Sequence, residues 1–480
     1  MKILFAVSEA APFVKTGGLA DVAGSLPQAL AEEGHEVKVI LPLYEAVGSE
    51  WRSRMTFLQH FDLTLAWRRV YCGIFELEYQ GITYWFVDNE YYFKRRQIYG
   101  HFDDCERFAF FSRAVLETPA HLDWTPDVIH CNDWQTALVS VYLLEERYRV
   151  PQLAETRTVF TIHNIEYQGR YGSEVLEDVL GLDKGYLNEE MLAFYGDVNL
   201  MKGALMSADF ITTVSPTYAR ELRTPFYGHG LEGVISRRAD RMEGILNGID
   251  TALYDPAAMP GLAANYTAKA PVRGKARCKR ALQQAVGLCP DPGIPVLACV
   301  SRLVGHKGFS MITDALSAIM DLDVQMVVLG TGDWRYEEAF RHAQSQFPGR
   351  FSAQLTYSAP LASMIYAGAD MLLMPSVSEP CGLSQLIAMR FGTVPIVRET
   401  GGLRDTVIPY NKYDGTGRGF TVANINAGDM AWVIREAVEL FRTDRAAWTH
   451  LMKAGMTADF SWTASARKYQ EIYRRITGLG

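Results

Sequence analysis

The sequence predicts an α/β protein built from two doubly wound domains. Three observations carry that reading. Short apolar, β-branched runs alternate with helical stretches in both halves of the chain, as parallel sheets covered on both faces require. A glycine turn, Lys15-Thr16-Gly17-Gly18-Leu19, follows the first such run, and a second turn of small residues, Glu379-Pro380-Cys381-Gly382-Leu383, follows another run deep in the second half. A length of 480 residues exceeds what one hydrophobic core usually serves, so two domains of about 200–250 residues are expected.

Taken in chain order, Ile3–Val7, Val37–Leu41, Val128–Cys131, Val159–Ile162 and Phe210–Val214 read as buried strands of the first domain, with a helix over Ala20–Glu33. Val296–Val300, Gln325–Leu329, Met371–Met374 and Val394–Val397 do the same for the second. The boundary falls near Arg241–Ile249, ahead of a weakly periodic stretch with Pro256, Pro260 and Pro271. The expected division is 1–242, 243–460 and a terminal helical segment 461–480.

Composition narrows the function. Hydrophobic residues at 48% and charged residues at 21% are ordinary for a globular enzyme. A net charge of −8 argues against a broad nucleic-acid surface. No apolar run reaches the roughly 20 residues that span a bilayer. Glu9 interrupts the apolar N-terminus, which therefore reads as a strand and not a secretory signal. Seven scattered cysteines without a CxxC pair fit a reducing cytoplasm and provide neither a disulfide framework nor a zinc site.

In open α/β sheets, ligands bind beyond the carboxyl ends of the strands, so the residues that follow each strand are the candidates. Lys15, Gly17 and Gly18 follow the first strand and suit an anion at a helix N-terminus. Asp133 follows Val128–Cys131 and is either a helix cap or a functional carboxylate. His163 and Asn164 follow Val159–Ile162, with no HExxH pattern to suggest a metal. Arg302 and Lys307 follow Val296–Val300; a rigid guanidinium fork and a mobile ammonium together suit a diphosphate. Glu379 lies beyond Met371–Met374, either capping a helix or serving the site. Cys381, Gly382 and Leu383 form the turn after it. Thr400 and Gly401 open a further turn with backbone donors at the same edge, and Tyr357, ending a strand-like segment, either fills the core or stacks on a nucleobase. Cations and N–H dipoles around a departing diphosphate, with Glu379 and His163 bordering the group attached to it, suit transfer of a sugar from a nucleoside diphosphate.

The motifs KTGGLADV (Lys15–Val22), HNIEYQG (His163–Gly169), TTVSPTYA (Thr212–Ala219), NGID (Asn247–Asp250), SRLVGHKG (Ser301–Gly308), MPSVSEPCGLSQL (Met374–Leu386) and RETGGLRDTV (Arg398–Val407) resemble, in this order, those of bacterial glycogen synthases and plant starch synthases. The resemblance implies a GT-B architecture, with two Rossmann-like domains facing a central cleft and a terminal helix, Ala464–Ile476, crossing back to the first domain. It implies retaining transfer of glucose from ADP-glucose to the non-reducing end of an α-1,4-glucan such as glycogen, with no metal or other cofactor. Lys15, Gly18, Arg302 and Lys307 would contact the diphosphate. Glu379 and His163 would lie beside the glucose, with Asn247 and Gln385 nearby. Asp21 and Asp133 would line the crevice, and Tyr357 would face the adenine.

Some positions depart from the family pattern. Ile387 stands where the wider GT-B group often has a second glutamate, leaving Glu379 as the motif's one acidic candidate. His306 replaces a common glutamine, Tyr254 a common tryptophan, and Val377-Ser378 an aromatic-containing approach to Glu379. Asp321-Leu322-Asp323 mimics a metal-holding acidic pair, yet precedes a strand and so falls at the opposite edge. The rival readings are a related transferase with another donor or a small acceptor, and a silent glucan-binding protein. A dehydrogenase lacks its G-x-G-x-x-G after the first strand. Oligomeric state, acceptor length and allosteric control are left open.

Overall fold

The computed structural model describes residues 1–479. The chain forms two compact units: Met1–Gly248 together with the segment from Trp462 onward, and Ile249–Ser461.

The first unit is organised on a nine-stranded sheet. Its order is Met242–Gly244, Phe210–Thr213, Arg157–Ile162, Val128–Asn132, Lys2–Ala6, Glu36–Pro42, Ile82–Asp88, Arg68–Tyr79 and Thr56–Leu65. Lys2–Ala6 is central and pairs in parallel with Glu36–Pro42 on one side and Val128–Asn132 on the other. Ile3, Leu4, Phe5 and Ala6 are fully buried, which is why this strand reads as one unbroken apolar run. Strand order reverses here, so the loops leaving Lys2–Ala6 and Val128–Asn132 flank a topological switch point.

The sheet is parallel as expected except at one edge, where an antiparallel hairpin is added. Arg68–Tyr79 runs antiparallel to both Thr56–Leu65 and Ile82–Asp88. The cause lies in the chain: Ala66, with φ +51°, and Trp67 make a tight turn. Before it, Thr56–Leu65 buries Phe61, Leu63 and Leu65 while exposing the residues between them. That alternation suits a strand wet on one face. Tyr84, Trp85, Tyr92 and Phe93 are buried in the core of this unit, and Tyr91 beside them is exposed.

The final helix, Trp462–Thr477, belongs to this unit although it follows the whole of the second. Tyr469, Ile472 and Tyr473 are buried on it. The Tyr473 hydroxyl lies 2.7 Å from Nδ1 of the fully buried His130, whose Nε2 lies 2.6 Å from Thr161 Oγ1. Arg467 adds a salt bridge to Glu33 at 3.0 Å.

The second unit carries a six-stranded, wholly parallel sheet in the order Phe351–Gln354, Gln325–Leu329, Val296–Val300, Met371–Met374, Val394–Arg398 and Phe420–Val422. Its switch point lies between Val296–Val300 and Met371–Met374, so the loops bearing Arg302, Lys307 and Glu379 leave adjacent strand ends. Asp321 ends the helix before Gln325–Leu329 and Asp323 lies 3.8 Å from Arg442, which gives this acidic pair a structural role. The seven cysteines are free. No described helix is long and apolar enough to cross a membrane.

Candidate functional site

In the second unit the two loops at the switch point are stitched together. Val377 N–H donates to the His306 carbonyl at 2.7 Å. Gly308 adopts φ +76°, and a Cβ there would sit 1.9 Å from the Pro375 carbonyl oxygen, so glycine is the residue the crossing demands. This close approach delivers Lys307 to Glu379: its Nζ donates to both carboxylate oxygens, at 2.8 and 2.7 Å. Ser376 Oγ donates to Glu379 Oε2 at 2.9 Å. Glu379 is 6% exposed and the Lys307 side chain 19%. A buried carboxylate with a lysine and a hydroxyl on its oxygens is a satisfied charge. Glu379 is not a helix cap, because the following helix begins only at Ser384. Arg302, at the head of the same loop, is exposed.

The small-residue turns brace this arrangement from below. Gly401 has φ +44°, and a Cβ there would lie 2.0 Å from the Glu379 carbonyl oxygen. Gly402 N–H donates to the Glu379 and Pro380 carbonyls, and Leu403 N–H to that of Thr400. The donor of Gly402 is therefore engaged within the protein. Gln385 is fully buried and donates to the Cys381 and Gly382 carbonyls at 3.0 and 2.9 Å, holding the turn that ends at Leu383; its Oε1 is buried without a partner. Tyr357, three residues beyond its strand, is 81% exposed.

At the switch point of the first unit most of the groups are buried or half-buried and hydrogen-bonded within the protein. Glu9, 3% exposed, accepts from Thr16 N–H at 2.6 Å and Thr16 Oγ1 at 2.7 Å, which shapes the loop before Gly17 and Gly18. Burial raises its pKa against those hydrogen bonds. Lys15 bridges to Asp21 at 2.6 Å, with both side chains about a third exposed. Asp133 sits at the cap position of a short helical turn but makes no capping bond. It holds φ +56°, a strained conformation for a residue with a Cβ. Its carboxylate accepts from His163 N–H at 2.7 Å and Asn164 N–H at 3.4 Å. Burial pushes its pKa up to about 7.

His163 Nε2 lies 2.9 Å from Asn132 Oδ1. Asn132 Nδ2 donates to the Ala6 and His130 carbonyls, so Oδ1 is the acceptor and Nε2 carries the hydrogen. Burial pushes the His163 pKa down to about 3, so the ring is neutral with Nδ1 bare. Asn164 Oδ1 accepts from Glu166 N–H at 3.0 Å. Asn247 is 9% exposed, and its Oδ1 is buried without a partner.

Two features escaped the sequence reading. Glu9 was noted only as an interruption of an apolar run, and that was its signal: an acid buried where a strand ends. An open groove of about 400 Å³ is lined by Trp134, Tyr167, Gln168, Arg170, Tyr171 and His229. Aromatic faces beside amide and charged groups suit a sugar chain, but their separation in sequence hid the juxtaposition. Among the described residues no group of three or more His, Cys, Asp or Glu is placed to hold a metal ion.

Residues 2–237 match the starch synthase catalytic domain, and residues 290–448 match the glycosyl transferases group 1 family. The chain is 49% identical over 477 residues to a glycogen synthase of Geobacillus thermodenitrificans, covering 99% of this chain and 98% of that one. A glycogen synthase of Geobacillus stearothermophilus is equally similar, at 49% with the same coverage. Among solved structures, the catalytic domain of starch synthase IV from Arabidopsis thaliana, bound to ADP and acarbose, superposes with a TM-score of 0.92 at 34% identity and covers 99% of both chains.

Proposed function

This chain belongs to the family of bacterial glycogen synthases and starch synthases, and from that premise we propose how its own residues carry the reaction. It is a retaining glucosyltransferase that moves glucose from ADP-glucose to the non-reducing end of an α-1,4-glucan and releases ADP. The observation that carries this reading is the Lys307–Glu379–Ser376 cluster at the switch point of an all-parallel sheet.

In this reading Lys307 and Arg302 take the diphosphate of the donor. Charge grows on the leaving diphosphate as the glycosidic bond breaks, so fixed cations act most strongly in the transition state. Each such contact lowers the barrier by on the order of 2–4 kcal/mol. Glu379 holds Lys307 in place before the donor arrives and borders the glucose afterwards. Lys15, Gly17, Gly18 and Asp21 bind the donor, and Asn247 its glucose. Tyr357 stacks on the adenine. Neutral His163, its ring set by Asn132 and its backbone by Asp133, offers bare Nδ1 as an acceptor for a sugar hydroxyl. The acceptor 4-hydroxyl attacks from the face that the diphosphate leaves, and a phosphate oxygen takes its proton. The aromatic groove of Trp134 and Tyr167 receives the glucan.

The test is incubation of purified protein with glycogen and either ADP-glucose or UDP-glucose, measuring nucleoside diphosphate release and polymer growth. ADP release coupled to chain extension is expected. Glucan binding with no turnover of either donor would refute the assignment.

A further inference from the structure

Arg107 is fully buried, and nothing said so far of the reaction uses it. Its Nε donates to the Tyr92 carbonyl at 2.7 Å, and its Nη1 to the Ile98 carbonyl at 3.1 Å and to Asp104 Oδ1 at 2.5 Å. Asp104 uses its other oxygen, Oδ2, to accept from Gly100 N–H at 2.8 Å and His101 N–H at 3.2 Å. One ion pair thus grips the chain on both sides of a single residue, Tyr99: the carbonyl just before it and the amide just after it. Arg95 and Asp103 close the base of the same loop with a two-pronged bridge at 2.5 and 2.6 Å.

Tyr99 is the part of this loop that reaches the switch point. Its hydroxyl lies 2.7 Å from Ser8 Oγ, immediately beyond the central strand and next to Glu9. Its ring packs 6.0 Å from Phe108, which packs 5.1 Å from Trp134, which lies 6.2 Å from Tyr171. Trp134 and Tyr171 line the aromatic groove, and the buried Phe108 links their rings to Tyr99. A buried ion pair costs desolvation that its own attraction only partly offsets, so its presence calls for a reason other than stability. The Arg107 Nη2 is moreover buried with no partner, which adds to that cost.

We propose that Arg107 and Asp104 are positioning residues that act through Tyr99, fixing the loop at residues 94–103 so that the Tyr99 ring meets the glucan acceptor. This rests on the glucosyl-transfer reading above and extends it to residues that never touch substrate.

The test is a cycle of substitutions read as separate KM values for glucan and ADP-glucose in the full-length protein. Asp104→Asn keeps size but leaves a single acceptor oxygen, which cannot serve both the loop amides and Arg107. Gly100→Ala leaves the buried pair intact. It loads a Cβ onto a position with φ +87° and nothing within 4 Å, so it disturbs the loop without crowding the core. Tyr99→Ala removes the ring. Each single variant should raise the glucan KM by about fivefold or more while the ADP-glucose KM stays within about twofold. Gly100→Ala should add nothing in the Tyr99→Ala background, because residues acting as one unit are not additive. Should Asp104→Asn fail to fold, Gly100→Ala decides alone. Additive losses, an equal rise for both substrates, or a folded Gly100→Ala with unchanged glucan KM would overturn the proposal while wild-type turnover leaves the transfer reading standing. Wild-type protein inert with both donors would defeat that reading first.

Discussion

The carboxyl edges of the two sheets solve the same problem in opposite ways. In the second unit the key groups are charged and matched, Lys307 against Glu379, and backbone crossings that only glycine permits hold them at close quarters. In the first unit Glu9 is buried and Asp133 and His163 are half-buried, all three are hydrogen-bonded within the protein, and their titration is displaced toward the neutral forms. One edge presents fixed charge, as a leaving diphosphate needs. Apart from the partly exposed Lys15–Asp21 pair, the other presents oriented polar groups and aromatic rings, which suit a sugar. Similar folds therefore carry different electrostatics because their loops treat burial differently.

The sharpest way to break this contrast is to remove charge from the second unit. Lys307→Ala should lower kcat/KM by about 10²–10³-fold, and Glu379→Gln should follow it in direction. Steady-state kinetics with ADP-glucose and glycogen would show this, and an unchanged kcat/KM would remove the role assigned to the pair. Gly308→Ala comes next. The added Cβ would meet the Pro375 carbonyl at 1.9 Å, and we expect a loss of about 2 kcal/mol or more in denaturant unfolding, with activity falling alongside. The matching change in the first unit, Gly17→Ala, meets only Glu9 Oε1 at 3.7 Å and should alter stability by no more than about 0.5 kcal/mol.

Titration sharpens the first unit's side of the comparison. Asp133 titrates at about 7 in the folded chain, against about 3.9 when unfolded. Between those values the folded chain holds a proton that the unfolded chain has released, so this group's contribution to stability declines as pH rises across the window. His163 works the other way. Its folded value of about 3 lies below the ordinary value near 6.5, so stability declines as pH falls between them. Asp133→Asn should raise Tm at pH 8 by about 2–4 °C and flatten the Tm profile between about pH 4 and 7. A profile parallel to that of the wild type would contradict the assignment. The smallest effect expected is from Tyr357→Ala: about a fivefold rise in the ADP-glucose KM, larger than any fall in kcat, measured by ADP release.

What could be read from sequence follows from the physics of each element. The parallel strands were legible because strands buried on both faces are continuous apolar runs; Val296–Val300 and Met371–Met374 lie where they were expected. The hairpin of Thr56–Leu65 and Arg68–Tyr79 was not, because its alternation is interrupted by an irregularity between Phe57 and Gln59. Arg302, Lys307 and Glu379 were legible as charged residues just past strand ends. That Lys307 would grip Glu379 was not, because the approach depends on Gly308 passing under Pro375, a contact between segments about seventy residues apart. Asp133 was ambiguous between cap and functional group. Its positive φ, which turns the carboxylate toward His163 N–H, decided against the cap, and no local pattern encodes that. Tyr99 and its buried supports went unseen because a charged pair in a core leaves no periodic trace.

The helix Trp462–Thr477 has a consequence for synthesis. Until Tyr473 has emerged, the ring of His130 lacks one of its two hydrogen-bond partners in the interior of the first unit. The half of the protein translated first therefore waits, partly unsealed, for a segment translated after the entire second half. A nascent chain arrested near residue 460 should expose that seam to proteases or chaperones, and release of the final helix should close it.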